Sequence, residues 1–130
     1  MRDIKFRGKR VNSGEWVYGD LQIQAKPLAS ILEYEQCCGY GNPVPVITET
    51  VGQYTGIKDK NGVEIYEGDI LHDGFGMGAV WWITEHCAFI VKAIGGGKVT
   101  SFHSLESDGA LIRTAIIGNI HTNPELLKKD

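Results

Sequence analysis

The side chains in this chain that could do chemistry fall into three sets, each with its own geometric demand. A metal site would draw on His72, His86, Cys87, His103, Cys37 and Cys38. No C-x-x-C, H-x-x-H or H-E-x-x-H spacing occurs among them, and His86 and Cys87, adjacent on a strand, would point to opposite faces. Nucleophilic catalysis would draw on Cys87, or on Ser101 or Ser104 with His103. Neighbours in sequence on a strand are poor neighbours in space, so these do not form a triad by spacing alone. Glu67, Asp69 and Asp73 could approach a hard cation, but they lack the D-x-D-x-D-G loop with a distal Glu. A phosphate loop is suggested by "GFGMG", Gly74 to Gly78, yet no Lys-Ser/Thr follows and the next residues, "AVWWI", are strand-like. The expectation is no catalytic set, no cofactor, no metal, and three reduced cysteines.

Two surfaces are better candidates for binding. Lys5, Arg7 and Lys9 alternate along "DIKFRGKR", which puts three cations on one strand face at roughly 6.6–7 Å spacing. That is close to the distance between phosphates along a nucleic-acid strand, but it is equally the way lysines protect an exposed sheet edge. Trp16, Trp81 and Trp82 could stack on bases. Trp81 and Trp82 are consecutive, so one is expected in the core and the other outward, where a protein contact explains it as well as a base does.

The elements that must position these residues read as mainly β. Residues 1–23 form an N-terminal hairpin, with "VNSGEW" as its turn. Residues 24–45 read as a variable insert, in which "LASILEYEQCC" suggests about two helical turns and "GYGNPVP" a loop. Residues 46–121 read as a β-rich core. There Asn61-Gly62 in "KDKNG" closes one strand onto "VEIY", with Asp59 bonding back to backbone N–H groups. "AVWWI" and "CAFIVKA" are joined through "TEH"; "KVTSFHSL" and "ALIRTAIIGNI" follow, with turns at "GGG" and "ESDG". Residues 122–130 suggest a short helix, with Asn123 as cap and Pro124 at its first position. Turn signals about every 8–12 residues favour a strongly bent antiparallel sheet or small Src-homology-like barrel, with a two-sheet sandwich as the alternative.

At 130 residues the chain has the length of one ordinary domain. Its 42% hydrophobic and 22% charged residues exclude a disordered or membrane-like composition. The apolar runs fall far short of the roughly 18 residues of a spanning helix, and the N-terminus lacks a signal-peptide pattern. An odd cysteine count, with Cys37 beside Cys38, fits reduced thiols in a cytoplasm. Residues 1–10 carry a balance of +4 against a whole-chain charge of −3, leaving the remainder at −7. That remainder opposes nonspecific nucleic-acid binding by the surface as a whole.

Three stretches, "MRDIKFRGKR", "VGQYTGIKDKNGVEIYEGDIL" and "IIGNIHTNPELL", occur in this order. Together they resemble the YopX family of phage and prophage proteins, over most of residues 1–23 and 46–127. The resemblance implies a small, largely β, phage-borne protein acting inside a bacterial cell, and it brings no catalytic residue. The expected function is a noncatalytic binding module for a host or phage protein. Nucleic-acid binding through Lys5, Arg7 and Lys9 ranks second, and a small enzyme third. No membrane partner is expected, and self-association is compatible with this reading.

Overall fold

Alternation along the first strands decides what the N-terminal half of the chain buries. In the computed structural model, which describes residues 3–25, 28–35, 39–40, 42–74, 76–94, 99–101 and 113–128, the chain divides into two compact units, Met1–Tyr54 and Thr55–Asp130. In the first unit, β1 (Phe6–Lys9) and β2 (Trp16–Ala25) form the expected hairpin, with Phe6 opposite Gly19 and Lys9 opposite Trp16. Phe6, Val17 and Leu21 pack into one core cluster with Ala29, Ile31, Val44, Val46 and Val51. The intervening residues Arg7, Lys9, Trp16 and Tyr18 lie on the opposite face of the pleat.

The segment 24–45 departs from its sequence reading. It forms β3 (Leu28–Leu32), the short pair β4 (Tyr34–Glu35) and β5 (Gly39–Tyr40), and β6 (Val44–Val46). The helical turns suggested by "LASILEYEQCC" are replaced by β3, which pairs with β2 from Asp20↔Leu32 to Ala25↔Leu28, and by β4. Burial explains the change. Ala29 and Ile31 alternate into the core, with Ile31 fully buried, so an intrinsically ambiguous run takes the strand its neighbours offer.

The strand after the 3-10 turn Thr48–Thr50 is β7 (Gly52–Lys58), whose start pairs with β1 at Phe6↔Gln53 and Arg7↔Gly52. β1 is therefore flanked by β2 and β7 and is not the edge strand its lysines suggested. Past the "KDKNG" turn, β8 (Glu64–Tyr66) lies beside β7, as expected.

In the second unit, a five-stranded antiparallel sheet has the order β12-β11-β10-β9-β13. Its members are β9 (Asp69–His72), β10 (Met77–Ile83), β11 (Ala88–Ala93), β12 (Val99–Ser101) and β13 (Ala115–Asn119). The expected β10–β11 hairpin is present, turning through the 3-10 segment Thr84–His86. Val80 forms a core cluster with Ile65 and Leu71, against which Phe89, Val91 and Ile116 pack. The turns expected at "GGG" and "ESDG" lie outside the described residues.

Two expectations need correction. Among the described residues the strands do not close into a barrel: the six-stranded sheet ends at β6 and β8, and the five-stranded sheet at β12 and β13. The turn after β8 sends the chain into β9, which pairs with β10 and β13 and so belongs to a separate sheet. The C-terminal helix is a single 3-10 turn, Pro124–Lys128, because five residues gain too few hydrogen bonds to offset helix nucleation. Asn123 turns its side chain back toward β13, accepting the Asn119 N–H at 3.3 Å. No described helix is long and apolar enough to cross a membrane.

Candidate functional site

Of the surfaces the sequence singled out, the basic strand is the more altered by folding. On β1, the Arg7 guanidinium lies 4.5 Å from the Trp16 ring centroid and is buried, with 6% of its surface exposed. The Lys9 ammonium lies 5.7 Å from the same ring, and the Lys5 ammonium 5.6 Å from the Tyr54 ring. Pairing explains the stacking: Lys9 faces Trp16 directly across the β1–β2 ladder, and Arg7 is the next residue on that face. Arg7 and Lys9 share one face of β1 and the Trp16 ring, while Lys5, just before the strand, lies over Tyr54. They are partly covered and lie against the unit's own aromatic rings, which differs from an open row of charges.

Trp81 and Trp82 also differ from expectation, because neither is buried. Trp81 is 39% exposed and Trp82 45% exposed. Trp82 meets its cross-strand partner Phe89 edge-on, with centroids 5.0 Å apart. Trp81 points to the other face, opposite Ile90. There it lines an open groove of about 570 Å³ together with Ile83, Ile90, Lys92, Ile94 and Leu127. Ile83 sits two residues beyond Trp81 and so falls on the same face, a signal the sequence did contain. Leu127 arrives from the C-terminal 3-10 turn, which no local pattern could reveal.

The carboxylates and glycines of the central motif serve the turns. Asp59 Oδ1 accepts the N–H groups of Asn61 at 2.8 Å and Val63 at 2.9 Å, and Oδ2 accepts that of Ile116 at 3.1 Å. Burial pushes the Asp59 pKa up, but those three N–H groups and the neighbouring Lys60 charge outweigh it and hold the carboxyl below its usual range. Asp69 is buried and its Oδ2 accepts the Tyr66 N–H at 2.8 Å. Asp73 Oδ1 accepts the Gly76 N–H at 3.0 Å, ordering the turn that leads into β10. In the last motif, Asn119 Oδ1 accepts from His121 at 3.0 Å and Thr122 at 2.8 Å. A Cβ on Gly118 would stand 2.5 Å from the Asn123 Oδ1, which accounts for glycine there.

Among the described residues, no group of three or more His, Cys, Asp or Glu is placed to hold a metal ion. Cys87 is an exposed free thiol in a left-handed backbone conformation at the end of the 3-10 turn. Its Sγ lies 3.5 Å from the Thr84 carbonyl oxygen. Cys37, Cys38, His103 and Ser104 lie outside the described residues, as do the side chains of His86 and Ser101. The turn at Gly74 leads into β10, so no helix N-terminus follows the glycines to cradle a phosphate.

The family model described as "YopX protein" matches residues 5–128. No curated protein matches the chain. Among solved structures, the crystal structure of protein EF1440 from Enterococcus faecalis is similar at a TM-score of 0.66 and 23% sequence identity. That alignment covers 98% of this chain and 100% of the other, so the likeness is one of fold across the whole length.

Proposed function

The chain belongs to the YopX family, and from that premise we propose that it is a phage- or prophage-encoded, noncatalytic module that binds a host or phage protein in the bacterial cytoplasm. The observation that carries this reading is the Trp81 groove. A tryptophan 39% exposed and a leucine 40% exposed border one concavity on the second unit, with Ile83 beside them. Aromatic anchors at the centre of apolar depressions are where protein–protein affinity concentrates. Lys92, also exposed, lines the same groove, so the partner segment it fits presents an apolar side chain next to a carboxylate. The nucleic-acid alternative is less well supported, because Lys5, Arg7 and Lys9 stack on Trp16 and Tyr54 and Arg7 is buried.

The test is affinity capture from bacterial lysate with the wild type, Trp81→Ala and Trp82→Ala, followed by affinity measurement on the captured protein. Trp81→Ala is expected to cost roughly 2 kcal/mol or more of binding, about thirtyfold in Kd. Trp82→Ala, on the opposite face, should change the affinity much less. Retention of every contact by Trp81→Ala would refute the groove as the docking site.

A further inference from the structure

A second groove in the Thr55–Asp130 unit shares no residue with the Trp81 groove. It is open, about 550 Å³, and lined by Lys60, His72, Asp73, Gly74, Arg113, Ala115 and Ile117. We propose that it binds the phosphate group of a small phosphomonoester carrying a planar apolar body, of the kind a nucleoside 5′-monophosphate presents. This inference is independent of the protein-docking reading.

Three stretches of chain, distant in sequence, meet to build it. The Lys60 backbone N–H donates to the Thr114 carbonyl at 2.9 Å, and the Ile116 N–H donates to Asp59 at 3.1 Å. These two bonds lash the "KDKNG" turn to the start of β13 and place Lys60 beside the segment that carries Arg113. Pairing of Ala115 with His72 across the β13–β9 ladder brings the imidazole to the same place. His72 Nδ1 accepts the Gly74 N–H at 3.0 Å, so the ring's proton resides on Nε2, which becomes a donor. The Lys60 and Arg113 side chains and an imidazole donor thus line one groove in a chain whose net charge is −3.

The rest of the lining suits the remainder of such a ligand. Ala115 and Ile117 are two apart on β13 and present an apolar floor, with Ile117 42% exposed. The volume falls within the roughly 300–1,000 Å³ typical of small-molecule sites. Among the described lining residues Asp73 is the one carboxylate, and its Oδ1 accepts the Gly76 N–H. Its charge opposes an anion while its oxygen serves the turn, so the two roles can be separated by mutation.

The experiment is a titration of the isotopically labelled full chain, followed by backbone amide NMR shifts, with adenosine 5′-monophosphate, inorganic phosphate and adenosine as probes at fixed ionic strength. The monophosphate should give saturable shifts at Gly74, Ala115 and Ile117 and bind more tightly than inorganic phosphate; adenosine should bind weakest. Lys60→Ala and Arg113→Ala should each weaken binding by at least about threefold, the scale of exposed charge contacts. Asp73→Asn, which keeps the oxygen acceptor and removes the charge, should tighten binding by a similar factor of about three. A purely structural role for these residues would not produce that opposite sign. The proposal fails if shifts do not saturate below about 10 mM, if adenosine binds as well as its phosphate, or if Asp73→Asn leaves affinity unchanged.

Discussion

Asp59 commits both carboxylate oxygens to the backbone, and its role is a measurable one. Oδ1 closes the Asn61–Val63 turn while Oδ2 reaches Ile116, 57 residues away in sequence. Asp59→Asn offers one oxygen and one amide in place of two oxygens, so at least one N–H group faces a donor. A loss of about 1–3 kcal/mol is expected at neutral pH, measured by urea unfolding. The folded pKa lies below the unfolded value, so the carboxylate's contribution is complete above about 3.9 and disappears as pH falls through the folded pKa. The gap between wild type and Asp59→Asn should therefore narrow in acid, and a gap that widened there would contradict this account. Two residues beyond Asn61's neighbour Lys60, Gly62 has φ +80° and no atom near the position of a Cβ. Gly62→Val should cost on the order of 1–2 kcal/mol from backbone conformation alone. An unchanged melting temperature would mean the turn tolerates a branched side chain and that its geometry is misassigned.

At the scale of elements, the instructive case is β3. Its sequence carries no clear alternation of charge and apolar character, yet it lies between β2 and β6 and buries Ile31 completely. Ile31→Ala should destabilise the protein by about 2–5 kcal/mol, the range for emptying a well-packed site. A loss below about 1 kcal/mol would mean that the segment 24–45 is a peripheral insert after all. β1 teaches the converse. Its alternation was legible, but whether it lay at an edge depended on β7 returning to pair with it. β13 adds a register shift between Ile116 and Gly118, next to the glycine that Asn123 crowds. Bulges of this kind re-aim a strand end, and here the chain then turns toward the Leu127 side of the Trp81 groove.

For the whole molecule, charge separates the two binding classes. The chain carries −3 overall although its first ten residues are strongly basic. Those cations are stacked on Trp16 and Tyr54, so a triple change of Lys5, Arg7 and Lys9 to Ala should act mainly on stability. Each lost stacking contact is worth about 0.5–1 kcal/mol. Titration of the wild type against DNA and RNA at two salt concentrations should show no submicromolar binding. Tight, salt-sensitive binding whose slope flattened by up to about three units in the triple variant would instead make nucleic acid the partner.

What the sequence by itself determined was everything governed by neighbours along the chain. The β class, the β1–β2 and β10–β11 hairpins, the turn at Asn61-Gly62 and the shared face of Arg7 and Lys9 follow from alternation and turn chemistry, which act over a few residues. The family resemblance rested on the same turn motifs, whose Asp59, Asp69 and Asn119 bond to nearby backbone. Only the tertiary structure decided which strands distant in sequence lie side by side. Strand pairing is a choice among distant partners, set by burial of whole faces and not by local preference. That choice made β1 internal, turned "LASIL" into a strand and left both sheets open. It also brought Leu127 to Trp81, and Arg113 to Lys60 and His72, across separations that no local pattern encodes.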